Sequence, residues 1–153
     1  MSTGNDSQSS ADETLKALRE ALQLSPNSLA LRQHLAETLL SHGRAAEAEK
    51  EFRAGLAQAP NSVPLKLGLA RAFQEQNKPN HALVILEDVV QGQSAPARAF
   101  LLHAQLLAGM GEIEQSVAQY RRALELDATL ADAEFEDRLG VGAAEDESEV
   151  VEG

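Results

Sequence analysis

The sequence repeats its own pattern every 34 residues, and this interval constrains the fold more than any other feature. The tripeptide Pro-Asn-Ser occurs at 26–28 and again at 60–62. Side chains between these marks recur at the same interval without a gap, so that the small residue Ala48 is followed by Ala82 and then by Ser116. A fixed period of this length is typical of an array of identical small units, each of which buries its apolar side against the next.

Within each period, the apolar residues are spaced for two helices. Leu35 and Leu39 lie four residues apart, as on one stripe of a first helix, and Ala48 and Phe52 do the same in a second helix. The small residues let the two backbones approach, and the large ones fill the space beside them. We predict helices over 12–24, 29–42, 45–58, 63–76, 79–91, 97–110, 113–126 and 130–139.

The connections between these helices carry matching turn residues. We call the residues that recur at one position of the 34-residue period a column. The column between the first and second helix of each repeat contains Gly43, Asn77 and Gly111, which are residue types that adopt a left-handed backbone at little energetic cost. The Pro-Asn-Ser tripeptides end one helix pair, and their polar side chains offer a cap for the helix that follows. The tripeptide is therefore predicted to be the joint between stacked helix pairs.

Composition supports a helical protein and excludes several function classes. Aromatic residues make up only 3% of the chain, and cysteine is absent, so disulfides and thiolate chemistry are excluded. The N-terminal residues do not resemble a signal peptide, and no stretch has the apolar length of a membrane helix, so we expect a soluble cytoplasmic protein.

The net charge of −11 is located mainly at the end of the sequence. From Asp132 onward there are nine acidic residues and one basic residue, whereas 13–131 holds thirteen acidic and twelve basic residues. The body is therefore nearly neutral, and it lacks the clustered bases that nucleic-acid binding needs. We predict no nucleic-acid partner and no membrane partner.

On these columns, the chain resembles the tetratricopeptide repeat family, with departures at Arg32, Lys66 and His103, where the family carries large apolar residues. The resemblance implies an all-α fold, a right-handed α-solenoid of stacked antiparallel helix pairs. The implied domains are a disordered segment over 1–11, a repeat region over 12–139 and an acidic disordered tail over 140–153. The repeat region comprises a half repeat over 12–28, repeats over 29–62, 63–96 and 97–130, and a capping helix over 131–139.

No catalytic constellation, cofactor motif or metal site is predicted, and the chain is predicted not to be an enzyme. The motifs of phosphate loops, dinucleotide sites and zinc proteases are absent. His34 and His42 could share a helix face as a metal pair, but surface positions explain them more simply. His103 is expected to make a local hydrogen bond in the core. The acidic run over 47–51 is expected to be a solvated helix face with weak pairs four residues apart.

What remains as a candidate site is surface. In the family that the chain resembles, the first helices line a concave groove. The resemblance assigns to it Gln33, Glu37, Leu40, Leu67, Arg71, Gln74, Arg98, Leu101 and Gln105. This set mixes apolar and polar side chains, as expected of a groove for a peptide. The alternative is that the three leucines only pack neighbouring repeats.

We therefore predict a non-enzymatic scaffold that binds a protein segment in this groove. A second hypothesis is an accessory or regulatory part of an AAA-type ATPase system, because the chain is also similar to the repeat regions that precede the ATPase core in some bacterial AAA proteins. A third is that the acidic tail folds onto Arg71 and Arg98. A homodimer through exposed repeat ends is a further prediction.

Overall fold

The structure, a computed structural model, describes residues 3–142, with side chains from residue 8 onward. Its helices are α1 (Thr3–Leu24), α2 (Leu29–Ser41), α3 (Ala45–Gln58), α4 (Val63–Glu75), α5 (Pro79–Gln91), α6 (Ala97–Gly109), α7 (Ile113–Leu126) and α8 (Ala133–Leu139). A short 3₁₀ helix over Ala128–Leu130 precedes α8. No strand occurs among the described residues. The tail prediction lies outside them from residue 143 onward.

Helices α2 to α7 begin at the predicted residues and end within one residue of the predicted ends. The reason is visible in the turns, where Gly43, Asn77 and Gly111 all adopt the predicted positive φ, at 74°, 59° and 84°. The Pro-Asn-Ser joints also behave as predicted. Ser28 accepts a hydrogen bond from the backbone of Leu31 at 3.3 Å, and Ser62 does the same one repeat later.

Helix α1 differs from the prediction, because it begins at Thr3 rather than at residue 12. The predicted disordered segment over 1–11 is therefore helical from Thr3. Once a helix is nucleated, each further residue adds one hydrogen bond at little cost, and no proline interrupts this stretch. The carboxylate of Asp12, which follows this stretch, lies 3.6 Å from Arg44 of the same unit.

The chain divides into two compact units, one up to Ala82 and one from Leu83. In the first unit, α1 packs on α2, α2 on α3 and α3 on α4. Phe52 of α3 is fully buried, and its ring lies against the backbone of Gly68 in α4. A glycine at this point lets the two helices approach closely enough to enclose the ring.

In the second unit, α6 packs on α7, and α7 contacts α8. Ser116 is fully buried, and its hydroxyl donates to the carbonyl oxygen of Ala104 at 2.6 Å, which satisfies the polar group in the core. Phe135 and Leu139 of α8 are buried as predicted. Asp132 caps α8 by accepting hydrogen bonds from two backbone amides of its first turn, which explains why the helix begins after residue 132.

Candidate protein-binding surface

In the first unit, the predicted groove residues lie on α2 and α4, which contact each other. On α2, Glu37 is exposed and Gln33 is half-buried. The side-chain amide of Gln33 donates to Glu37 Oε1 at 2.9 Å, one turn further along the helix. Together the pair presents a carboxylate and an amide on the surface of α2.

Helix α4 adds a different chemistry to this surface. Leu67 and Gln74 are half-buried, and Arg71 is exposed between them. Their spacing of four and three residues places the three side chains on one helix face. The face of α4 therefore offers an apolar side chain, a cation and an amide in succession.

Leu40 does not contribute to this surface. Its side chain is only 3% exposed and belongs to the core. The alternative that Leu40 packs between repeats fits the structure, and we leave it out of the binding surface. We call the remaining five residues the α2–α4 surface, namely Gln33, Glu37, Leu67, Arg71 and Gln74.

In the second unit, the predicted groove residues lie on α6. Arg98 and Gln105 are exposed and Leu101 is half-buried. Leu101 packs against a core cluster made of Ala104, Tyr120, Phe135 and Leu139. Leu101 therefore has a packing role in this unit, and a polar substitution there would disturb the core as well as the surface.

The charge of Arg98 has an acidic neighbour within the second unit. Two hydrogen bonds from Thr129, through its hydroxyl at 2.6 Å and its backbone amide at 3.0 Å, hold the pKa of Asp127 below its ordinary value. Arg98 adds a smaller electrostatic contribution in the same direction. A partner that presents an acid to Arg98 would compete with Asp127.

Ion pairs that join helices were not predicted from the sequence. Arg32 donates to Glu51 Oε2 at 2.8 Å, and both side chains are largely buried, at 17% and 26% exposure. The aliphatic part of the Arg32 side chain lies beside Gly55. At the position of Arg32, on the first helix, the family carries a large apolar residue. Arg32 thus fills that space with its methylenes and keeps its charge paired at the edge. The partners are 19 residues apart, a separation that no local pattern reveals.

A second set of ion pairs joins α1 to the start of α3. Arg44 donates two hydrogen bonds to Glu47, which also accepts from Arg19 of α1 at 3.1 Å. The hydrogen bonds from Arg44 lower the pKa of Glu47, with a smaller contribution from Arg19. The acidic run over 47–51 is therefore more than a solvated face. It also contains one pair of the expected four-residue spacing, between Glu49 and Arg53 at 3.1 Å.

The histidines show no arrangement for metal binding in the described residues, which contain no group of three or more potential ligands. His34 and His42 are exposed. His103 is buried, and burial lowers its pKa, with Gln119 and Glu87 opposing the shift. Its Nδ1 atom lacks a partner in hydrogen-bonding geometry, so the predicted core hydrogen bond is not formed at that atom.

Two clefts of the described residues lie away from the predicted groove residues. One, of about 330 Å³, lies between α1 and the turn after α2, and it is lined by Gln8, Ala11, Asp12, Leu15, His42 and Arg44. The other, of about 160 Å³, lies beside α7 and α8 and includes Tyr120, Arg121 and Glu136. Neither contains a residue of the α2–α4 surface.

Family models decide the classification. A model described as tetratricopeptide repeat matches residues 7–65 and 39–106, and a second model of the same description matches 97–130. The chain belongs to the tetratricopeptide repeat family. This family typically forms non-catalytic modules that bind protein or peptide partners. The chain is therefore a protein–protein interaction scaffold.

Solved structures agree with this membership. MamA from Desulfovibrio magneticus RS-1, residue 41 to the end, superposes with a TM-score of 0.68 at 24% identity, covering 79% of this chain and 68% of that one. The thermophilic repeat protein TTC0263 from Thermus thermophilus superposes with a TM-score of 0.68 at 20% identity, covering 82% of this chain and 70% of that one. YrrB superposes with a TM-score of 0.63 at 20% identity, covering 84% of this chain and 66% of that one.

These matches confirm the predicted fold class, an all-α solenoid of helical repeats. Among the curated proteins, none matches the sequence significantly. Within the described part of the chain, no helix has both the length and the apolar character needed to span a membrane. The cytoplasmic location stays a prediction.

Proposed function

We propose that this tetratricopeptide repeat protein binds a segment of another protein on the α2–α4 surface. The observation that carries the proposal is that Glu37, Leu67 and Arg71 are all accessible on two first helices that contact each other. A surface that offers an apolar side chain and both signs of charge suits a segment that alternates apolar and charged residues. In this account the chain has no catalytic activity of its own.

The side chains of the α2–α4 surface determine which side chains the partner segment must carry. Arg71 would pair with an acidic side chain of the partner, and Leu67 would bury an apolar one. Glu37 would accept from a donor of the partner while it keeps its bond to Gln33. The exposed residues of α6, Arg98 and Gln105, offer similar chemistry in the second unit as a separate patch. YrrB supports a peptide-binding role by analogy, since its structure is described as having an unusual peptide-binding site.

The test uses charge reversal at an exposed position, so that folding is preserved. Arg71→Glu is compared with Lys50→Glu, an exposed position on α3 with the same change of charge. Partners captured by affinity purification are identified by mass spectrometry, and the partner segment is then titrated by calorimetry. We expect Arg71→Glu to weaken binding by roughly fivefold or more, because an exposed charge pair becomes a repulsion. Lys50→Glu should leave the affinity unchanged.

Equal affinity of the wild type and the Arg71→Glu variant for the partner segment would contradict the proposal that the α2–α4 surface binds it. The alternative of an accessory segment in an AAA-type ATPase system stays a prediction. Inspection of the adjoining reading frame tests it, since a neighbour without a phosphate-binding loop would argue against it.

A further inference from the structure

The inner column of the second helices shows that α1 is incompletely covered. Ala48, Ala82 and Ser116 occupy equivalent places in α3, α5 and α7, and each is 0% exposed. The residue 34 positions before Ala48 is Thr14 of α1, and it is exposed. No first helix precedes α1 among residues 3–142 to cover this side.

The uncovered side forms a continuous stripe along α1. Thr14, Ala17, Ala21 and Leu24 follow each other at helical spacing. Thr14 and Ala17 are exposed, Ala21 is half-buried, and Leu24 is 87% exposed. We call these four residues the open α1 face. The last second helix differs, because α8 packs on α7 and buries Phe135 there. Helix α7 is also preceded by α6, which packs on it, whereas α1 is followed by α2 but is preceded by no helix among the described residues.

We propose that the open α1 face binds the same face of a second copy of this chain, in an antiparallel two-fold dimer. In a two-fold antiparallel pair of helices, the same flank of each helix faces its counterpart. Lys16 and Glu20 lie on one flank of the open face, both exposed and each two residues from Leu18. A pairing centred on Leu18 therefore sets Lys16 of each copy opposite Glu20 of the other.

The charge distribution favours a second copy over a strongly charged partner. Residues 8–24 contain three acids, Asp12, Glu13 and Glu20, and two bases, Lys16 and Arg19, so this part of α1 is nearly neutral. The acidic surplus of the chain lies at 132–153, far away in the sequence. Small residues on the open face also let two helix backbones approach closely.

The expected association is weak. One pair of helices buries well under about 1,000 Å², the lower range of stable interfaces, so we expect a dissociation constant of roughly 10–100 μM. Because charge pairs at an exposed edge contribute, the dimer should also weaken as the salt concentration rises.

The experiment is sedimentation velocity of the full chain over protein concentrations from about 5 to 500 μM, which bracket that range. Lys16→Glu or Glu20→Lys alone turns two attractions into two repulsions and should weaken the dimer by roughly tenfold. The double variant restores complementarity and should dimerise like the wild type. A mixture of the two single variants should associate better than either one alone.

Matched controls separate this surface from others. Lys50→Glu makes the same charge change at the equivalent position of α3 and should leave dimerisation unchanged, as should Arg71→Glu on the α2–α4 surface. Leu24→Ser should weaken the dimer, because it removes the largest exposed side chain of the open face. A wild type that stays monomeric throughout overturns the proposal. So does a dimer that is insensitive to both Lys16→Glu and Leu24→Ser.

Discussion

The approach of α3 and α4 at Gly68 makes a prediction that can be worked from distances. A Cβ atom added at Gly68 would lie 2.2 Å from Cε1, 2.3 Å from Cζ and 2.8 Å from Cδ1 of the Phe52 ring. Non-bonded carbons prefer about 3.5–4.0 Å, so the ring or the helix would have to move by more than about 1 Å. Phe52 is fully buried, so its ring is enclosed by other parts of the protein.

The magnitude for Gly68→Ala follows from two opposing effects. Overpacking of a core costs typically 1–3 kcal/mol, and more when several atoms clash. Replacement of a helical glycine by alanine returns up to about 1 kcal/mol of helix propensity. We expect a net loss of about 2 kcal/mol of unfolding free energy, or roughly 4–8 °C in Tm for a chain of this size.

Two other glycines provide matched controls. At Gly109, near the end of α6, an added Cβ meets nothing within 4 Å, so Gly109→Ala should leave Tm unchanged or raise it slightly. At Gly55, the nearest atom to an added Cβ is a methyl of Leu65 at 3.0 Å, a smaller overlap than at Gly68, so Gly55→Ala should fall between the two. The order of stability is therefore expected to be Gly109→Ala, Gly55→Ala and Gly68→Ala, from most to least stable.

Thermal unfolding followed by circular dichroism measures this order, and urea titration checks it. A double-mutant cycle tests the cause, because Phe52→Leu should cost less in the Gly68→Ala background than in the wild type. If Gly68→Ala unfolds within about 1 °C of Gly109→Ala, or if the cycle shows additive effects, the close contact with Phe52 is not what fixes this helix spacing.

Three further changes have definite expected outcomes. Tyr120→Phe removes the hydroxyl that donates to Glu136 at 2.8 Å and accepts from Asp132 at 2.9 Å, and it should cost about 1–2 kcal/mol in urea titration, with faster amide exchange in α8. Ser62→Ala removes the cap of α4 and should cost about 0.5–1 kcal/mol in the same assay. Burial lowers the folded-state pKa of His103, so its contribution to stability is present above the unfolded pKa of about 6.5 and is lost as the pH falls below it. His103→Leu should flatten that dependence of Tm on pH between about 7 and 5.

The sequence predicted the helix pairs well because their packing is repeated in register. A residue such as Ala48 is constrained by its neighbours in the same way as Ala82 and Ser116, so three copies of one environment reinforce each other. The turn residues Gly43 and Gly111 add an independent constraint through their backbone conformation. Local rules of this kind require only residues that are near in the chain or one period apart.

The contacts that the sequence did not reveal break this periodicity. Arg32 and Glu51 form a largely buried pair, but the next repeat has Lys66 and Ile85 at the equivalent positions. The pair therefore does not recur, and the repeat pattern does not predict it. Leu40 was assigned to the groove from its family position, yet it is buried. Which face a side chain takes at the edge of a helix depends on the neighbouring helix, and that information is tertiary.

The same reasoning gives the incomplete burial of α1 its meaning. The position of a residue in the repeat predicts its burial on the second helix only where the first helix of the same repeat packs against it. Thr14 and Leu18 stand in the columns of Ala48 and Phe52, but Thr14 is exposed and Leu18 is only half-buried, whereas both residues of α3 are at 0%. Since burial of such columns is a large part of what stabilises a repeat array, the uncovered wall is where an additional helix would contribute most. The open α1 face, which ends in Leu24 and is flanked by Lys16 and Glu20, can obtain such a helix from α1 of a second copy of the chain.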